Sequence, residues 1–343
     1  MERPELTNLS PEVVAYIESL EAELRRYRKP TPAGESPLES ELPALKPNEP
    51  PSTRCLITFS SSGIAKKTSR HLYIRQRRGG MGIFDLDIPE NDSPIALVEC
   101  EEGQHLLLFT NLARAFRFPS SQLAASDIRS RGQNITQRLG MLEGEKIVAA
   151  LPDETRGGVA LLSEWGFVRY LRHHVFGEYM KPGAVMFDAR KYGSLTCTCR
   201  TPGDSDLFIA TRGGKAIRFS EKLVPPQGGP GIRIENPDRA VSITAVKDDS
   251  TVFLADASGR GTLRQMASFT ANKSAGGGGK IAMHTDELIE ATTASPDDDI
   301  FLISRLSKLI RFMAAEVPVK DAPVQGVNCM LLRADEVVAG VKA

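Results

Sequence analysis

From Arg54 to Ala343 the chain is written in short apolar runs, with Gly- and Asp-containing turns between them and no sustained helical period. Period-2 runs bounded by turn residues predict strands. The same order of elements returns six times. An opening apolar strand is expected at 57–59, 107–109, 160–162, 207–209, 252–254 and 301–303. A return strand carrying basic residues follows at 65–67, 115–118, 168–170, 216–219, 262–264 and 309–312. A Gly-containing bend comes next, at 79–83, 131–132, 182–183, 228–232, 276–279 and 325–327. Each unit ends on a Val/Ile-rich strand, at 96–100, 147–150, 195–199, 242–246, 288–292 and 337–341. The period is about 46–53 residues, which is that of a propeller. One such unit cannot bury both faces of its sheet alone, and six around an axis can. The chain has no Trp-Asp dipeptide, since its one tryptophan, Trp165, precedes Gly166. That disfavours WD40 repeats.

The residues before Arg54 read differently. Ser10 suits an N-cap and Pro11 the first helical position. Val13, Ile17, Leu20, Leu24 and Tyr27 then form an a/d stripe over 10–28. Such a helix either dimerises or docks, or packs on its own chain. Residues 29–53 hold seven prolines and four glutamates, which predicts an extended linker. The expected organisation is 1–28 helix, 29–53 Pro-rich linker and 54–343 an all-β, six-bladed assembly.

Composition narrows the function. The 43 basic and 43 acidic residues cancel, so no overall field draws the protein to nucleic acid. Any anion binding must come from uneven placement. Five cysteines, an odd number, suit a reducing compartment rather than a disulfide framework. Cys197 and Cys199 fall on one face of an expected strand, and read as small buried side chains rather than a zinc pair. The start lacks an apolar signal core, and no apolar run reaches membrane-spanning length. A soluble, cytoplasmic protein without cofactor or metal is expected. The acidic runs Asp248-Asp249 and Asp297-Asp298-Asp299 read as strand-end loops, and His173-His174 as a surface pair.

One stretch stands out within the neutral total. Gln76-Arg77-Arg78-Gly79-Gly80-Met81-Gly82 sets two guanidiniums against three glycines, and no Asp or Glu occurs from Lys66 to Gly82. Fixed positive charge beside a bare backbone is an anion-binding combination. The return strands also bring basic residues back in register. The candidate phosphate contacts are Lys66, Lys67, Arg70, Arg114, Arg117, Arg169, Arg172, Lys215, Arg218, Arg264, Lys308 and Arg311, with Arg260 beside them. Alternation along each strand predicts that at least one of each pair points outward. Arg131 and Arg233, with Arg129, Lys181 and Lys280, lie near the bends and join the set.

At these residues the chain resembles a known family. The six units, and above all 300–312 with Asp335-Glu336-Val337-Val338-Ala339, resemble the C-terminal domain of bacterial DNA gyrase A, which is a DNA-wrapping β-pinwheel. Residues 76–82 are similar to that family's heptapeptide QRRGG[K/R]G, the GyrA-box, with Met81 at the position of a basic residue. The resemblance covers roughly 54–343. It implies a closed or nearly closed six-bladed pinwheel with double-stranded DNA running round its rim. Gln76, Arg77, Arg78, Gly79, Gly80 and Gly82 would hold the end of the wrap.

Gyrase A carries a catalytic tyrosine in a breakage–reunion core. None of Tyr16, Tyr27, Tyr73, Tyr170, Tyr179 and Tyr192 has that context, and there is no GxxxxGK[ST] phosphate loop. The expectation is a non-catalytic, free-standing wrapping module that serves a type IIA topoisomerase in trans or acts architecturally. Self-association would run through 10–28. The competing reading is a pinwheel kept as a protein-interaction scaffold with decayed DNA binding. Met81, the neutral total and the third bend, Lys181-Pro182-Gly183, favour it. Under the DNA reading, Glu221, Glu287 and Asp335 must lie away from the DNA face.

Overall fold

The computed structural model describes residues 49–343. The expected helix over 10–28, and most of the linker, lie outside them. Every opening, return and closing strand anticipated above is present. In the first unit these are Arg54–Ser60, Ile64–Ser69 and Pro94–Glu101. In the sixth they are Asp299–Ser304, Lys308–Met313 and Val337–Lys342.

Side chains close the hairpins between opening and return strands. Ser60, Thr110, Ser163, Asp256 and Ser304 each accept a hydrogen bond from the backbone N–H four residues on, at 3.0–3.4 Å. In all six units the pairing of opening and closing strands slips at this end of the opening strand. A bulge there adds the twist a blade needs to stack on its neighbour.

The closing strands are innermost. Together they line an axial channel of about 540 Å³. Each blade runs outward from its closing strand to its opening and return strands, and then to a short strand lent by another unit. The second unit lends Gln133–Asn134 to the first blade, the third lends Ala184–Val185 to the second, and the fourth lends Gly229–Pro230 to the third. The fifth lends Lys280–Ile281 to the fourth, and the sixth lends Val327–Asn328 to the fifth. The first unit completes the circle. Its Ile83–Phe84 pairs with Leu309 and Lys308 of the sixth blade. The ring is closed, and its seam is the junction of the first and sixth blades.

Six buried clusters hold the ring, each shared by two adjacent blades. At the seam, Leu56, Tyr73 and Leu97 pack on Phe301, Ile303, Leu309 and Ala339. Both faces of every blade are therefore interior. A residue in the middle of a blade points to a neighbouring blade whichever way it alternates.

Candidate nucleic-acid interface

The box sits on the outer rim at the seam. Two buried groups close the base of its loop. The Tyr73 hydroxyl donates to Asp85 Oδ1 at 2.6 Å, and Lys66 Nζ donates to the same carboxylate and to the Asp85 carbonyl. Thr58 Oγ1 donates to Asp85 Oδ2 at 3.0 Å. Burial pushes the Tyr73 hydroxyl well above its ordinary pKa, with the Asp85 charge adding to it. Burial also lowers Lys66, which Asp85 partly offsets.

From this base the loop is tied to the sixth unit. The Gln76 N–H donates to the Arg311 carbonyl and the Gly79 N–H to that of Cys329, both at 2.7 Å. Leu331 N–H donates to the Gly80 carbonyl at 2.9 Å. Gly82 has φ +70°, and a Cβ there would stand 2.8 Å from the Leu309 carbonyl oxygen. Glycine is thus required for both conformation and close approach.

The two box arginines have different roles. Arg77 is exposed and makes no ion pair among the described residues. Arg78 is held by the sixth unit: its Nε donates to the Glu316 carbonyl at 2.8 Å and its Nη1 to that of Asn328 at 3.2 Å. Its own N–H donates to Glu316 Oε2. Met81 is half exposed and brings no charge.

Nine of the predicted rim cations are tied into the fold instead of facing solvent freely. Lys66 is at Asp85, and Lys67 Nζ donates to the Ser120 carbonyl of the next unit at 3.2 Å. Arg70 pairs with Glu99 and with Asp299, both at 2.8 Å. Arg114 pairs with Glu145, and Arg117 with Asp153, which also meets His173 of the third unit. Arg169 donates to the Met186 carbonyl. Buried Arg218 reaches the Met266 and Phe269 carbonyls of the fifth unit as well as Asp206 and Asp248. Arg264 is buried and donates to the Lys320 carbonyl. Arg311 donates to the Arg70 and Tyr73 carbonyls across the seam, and pairs with Asp299 and Glu49.

The physical reason is the burial of both blade faces. A cation in mid-strand has no solvent to reach, so it bonds the carbonyls and carboxylates of the adjoining blade. Asp299 is likewise no loop cap, since it lies fully buried beneath Arg70, Arg75 and Arg311. Glu49, at the end of the expected linker, is fastened to this cluster through Arg311 and Arg70.

The other five predicted contacts reach solvent. Arg131, Arg172, Lys215 and Arg233 are exposed, and Lys308 is half-buried. Arg131 shares a solvent-exposed pair with Asp87 at 3.0 Å. Such a pair contributes little and yields readily to another anion. Arg129, Lys181, Lys280 and Arg260 are also exposed. Among the exposed cations that the sequence reading did not name are Lys273 and Lys320. Lys273 precedes the fifth unit's bend, and Lys320 ends a two-residue strand, Val319–Lys320, that pairs with the fifth blade before the sixth unit's bend; proximity to the bend is the signal that would have found them. Exposed cations thus occur on the rim of every blade. Arg77 is on the sixth, beside half-buried Lys308, Arg129 and Arg131 are on the first, and Lys181 is on the second. Arg172 and Arg233 serve the third, Lys215, Lys273 and Lys280 the fourth, and Arg260 and Lys320 the fifth. Of the acids in question, Glu221 is buried and Glu287 pairs with Arg212. Asp335 Oδ1 accepts from the Leu306 N–H.

A closed ring of six four- or five-stranded blades, each completed by a strand from its neighbour, is a β-pinwheel. Residues 56–97, 104–152 and 205–247 match the family model described as DNA gyrase C-terminal domain, beta-propeller. Three of the six units thus match that repeat. The DNA gyrase A protein of Mycolicibacterium smegmatis is 24% identical over 299 residues, covering 83% of this chain and 35% of its own length. That of Escherichia coli is 26% identical, with 84% and 34% covered. The chain therefore spans about a third of these relatives. A solved DNA gyrase A C-terminal domain superposes with a TM-score of 0.72 at 19% identity, over 84% of this chain and 99% of that one. The C-terminal domain of DNA topoisomerase IV gives 0.61 at 20% identity, over 86% and 94%. Among the described residues no helix is long and apolar enough to cross a membrane.

Proposed function

We propose that this chain binds double-stranded DNA along the pinwheel rim and bends it there without catalysing a reaction, in the manner its family resemblance implies. The observation that carries this reading is the presence of exposed cations on the rim of every blade. Contacts spaced round a curved surface grip phosphates and not base edges, which gives sequence-tolerant, salt-sensitive binding. Bending a short duplex costs on the order of several kcal/mol, and half a dozen or more phosphate contacts offset it. Action on DNA topology together with a type IIA topoisomerase, in the cytoplasm, belongs to the same proposal.

A second reading, an interaction scaffold with decayed DNA binding, draws on the box itself. With Arg78 engaged by the sixth unit and Met81 uncharged, Arg77 is the box's one cation without a partner among the described residues. Duplex binding across a salt series separates the two, followed by ligation of nicked plasmid in the protein's presence. The DNA reading expects a shift at low salt, a changed linking number, and a salt slope smaller by about 1 in Arg77→Ala. Absence of any shift at low salt would sink it in favour of the scaffold.

A further inference from the structure

The fifth unit rebuilds the box loop from a different sequence. Aligned on the lent strands, residues 276–279 occupy the places of 79–82. Gly276 and Gly279 have φ +78° and +71°, against +79° and +70° for Gly79 and Gly82. Gly277 bridges Ile232 in parallel as Gly80 bridges Met330. A Cβ on Gly279 would stand 2.8 Å from the Ala216 carbonyl oxygen, the same approach that Gly82 makes to Leu309.

The charges around this loop come from new places. Lys273 replaces Gln76, and Lys280 replaces Ile83. Arg233 of the fourth unit donates its N–H to the Gly277 carbonyl at 2.9 Å, and its guanidinium lies 3.5 Å from where a Gly278 Cβ would be. Lys280 Nζ sits 4.2 Å from the Phe269 ring centre, and the Arg264 guanidinium lies 5.9 Å from the same centre. Arg264 is buried, and its Nε has no partner among the described residues. Among the same residues no carboxylate pairs with Lys273, Lys280, Arg233 or Arg264. The acid acting most on Arg264 is Asp321. Desolvation beside the Phe269 ring lowers the Lys280 pKa, and the like charges of Arg264 and Arg218 lower it further. The amides of Gly278 and Gly279 donate to no carbonyl of the described residues. Crowded cations without a counter-ion, beside bare glycine amides, define a place for an anion.

We propose that residues 276–279, with Lys273, Lys280 and Arg233, form a second phosphate-binding loop that takes a backbone phosphodiester of duplex DNA two blades along the rim from the box. The proposal rests on the DNA reading above and gives the wrap a second fixed point. The test is duplex binding by the whole chain over a salt series, with hydroxyl-radical footprinting, for wild type, Lys273→Gln/Lys280→Gln and Arg77→Ala. The double variant should lower the salt slope by about 2 and lose protection at one internal stretch, which Arg77→Ala retains. Both lysines are exposed, so an unchanged unfolding midpoint is expected alongside. Wild-type binding with an unchanged slope and footprint in the double variant would overturn this site and leave the DNA reading standing. Failure of wild type to bind would overturn both. A midpoint raised by inorganic phosphate in wild type only, with the DNA slope equal in both, would make this a free-phosphate site and overturn the DNA assignment.

Discussion

Closure of the ring depends on a seam that no covalent connection crosses, and Asp299 is its electrostatic centre. Arg70 and Arg75 approach this carboxylate from the first unit, and Arg311 from its own blade, at 2.5–3.1 Å. Glu49 and Glu99 complete the cluster, so three guanidiniums face three carboxylates. Asp299→Asn removes one negative charge from the buried centre and leaves its partners in place. Breaking a buried pair by removing one member costs about 3–5 kcal/mol. At the lower figure, opening of the seam becomes about 150-fold more frequent.

Hydrogen exchange reads this directly, because the Gln76, Gly79 and Asp85 amides donate across the seam to the Arg311, Cys329 and Ser307 carbonyls. Their exchange should accelerate by about two decades in Asp299→Asn. The Ile135 and Asn272 amides, which cross other junctions to Gly63 and Arg218, should change far less. Equal acceleration at all five amides, or none at the first three, would refute the claim that Asp299 locks the seam. The pH dependence follows the same group. Burial opposes its ionisation, but the bonds from Arg75 and Arg311, with Arg70, hold its pKa below the usual aspartate value. A carboxylate depressed in the fold contributes stability above its unfolded pKa, near 4, and loses it as pH falls through the folded value. The seam amides should therefore stay protected at neutral pH and lose protection selectively only in acid, below about pH 4.

Two further substitutions test the fold around the channel and the box. Glu290 stands on the channel wall with its pKa pushed up to about 7, chiefly by burial. Its raised value means that folding takes up a proton between the unfolded and folded pKa. Stability from this group is therefore full below about pH 4, falls as pH rises towards 7, and levels off above that. Glu290→Gln should raise the unfolding midpoint at pH 8 by about 2–4 °C per kcal/mol recovered, and leave it nearly unchanged at about pH 4; an equal rise at both would contradict this. Gly82→Val places a branched side chain at φ +70° against the Leu309 carbonyl. It should lower the midpoint and cut plasmid-topology activity together, whereas Arg77→Ala should reduce only DNA binding; a Gly82→Val protein with wild-type melting would remove the case for a close approach there.

The strands were legible because six repetitions of a period-2 pattern reinforce one another, and the opening and closing strands all lie where the apolar runs stand. The exchange of strands between blades was not. A lent strand has two residues, as in Ile83–Phe84 or Lys280–Ile281. Two residues carry no period, and their pairing partner lies in another unit. The glycine bends marked where each strand would begin, but not which blade would receive it. Closure was illegible for the same reason, since it depends on Ile83 and Phe84 meeting Leu309 and Lys308 at opposite ends of the domain.

The cations show how a correct periodicity can give a wrong surface. Alternation was expected to send one of each basic pair outward, and it holds for a sheet with one wet face. In a closed ring the neighbouring blade replaces the water on either side. Lys67, Arg218 and Arg311 stand at the same place in their return strands and bond carbonyls of the unit that follows each round the ring. Their recurrence in register is the signature of bolts between blades, enforced by the geometry of the ring whether or not DNA is bound. The cations left for an external ligand sit where the sheet ends. They occupy the first or last place of a return strand, as Lys215 and Arg260, or Arg172, do, or a crossing bend, as Arg77, Arg131 and Lys280 do. A sequence of this architecture should therefore be searched for DNA contacts at its bends and strand starts, with mid-strand cations assigned first to the stability of the ring.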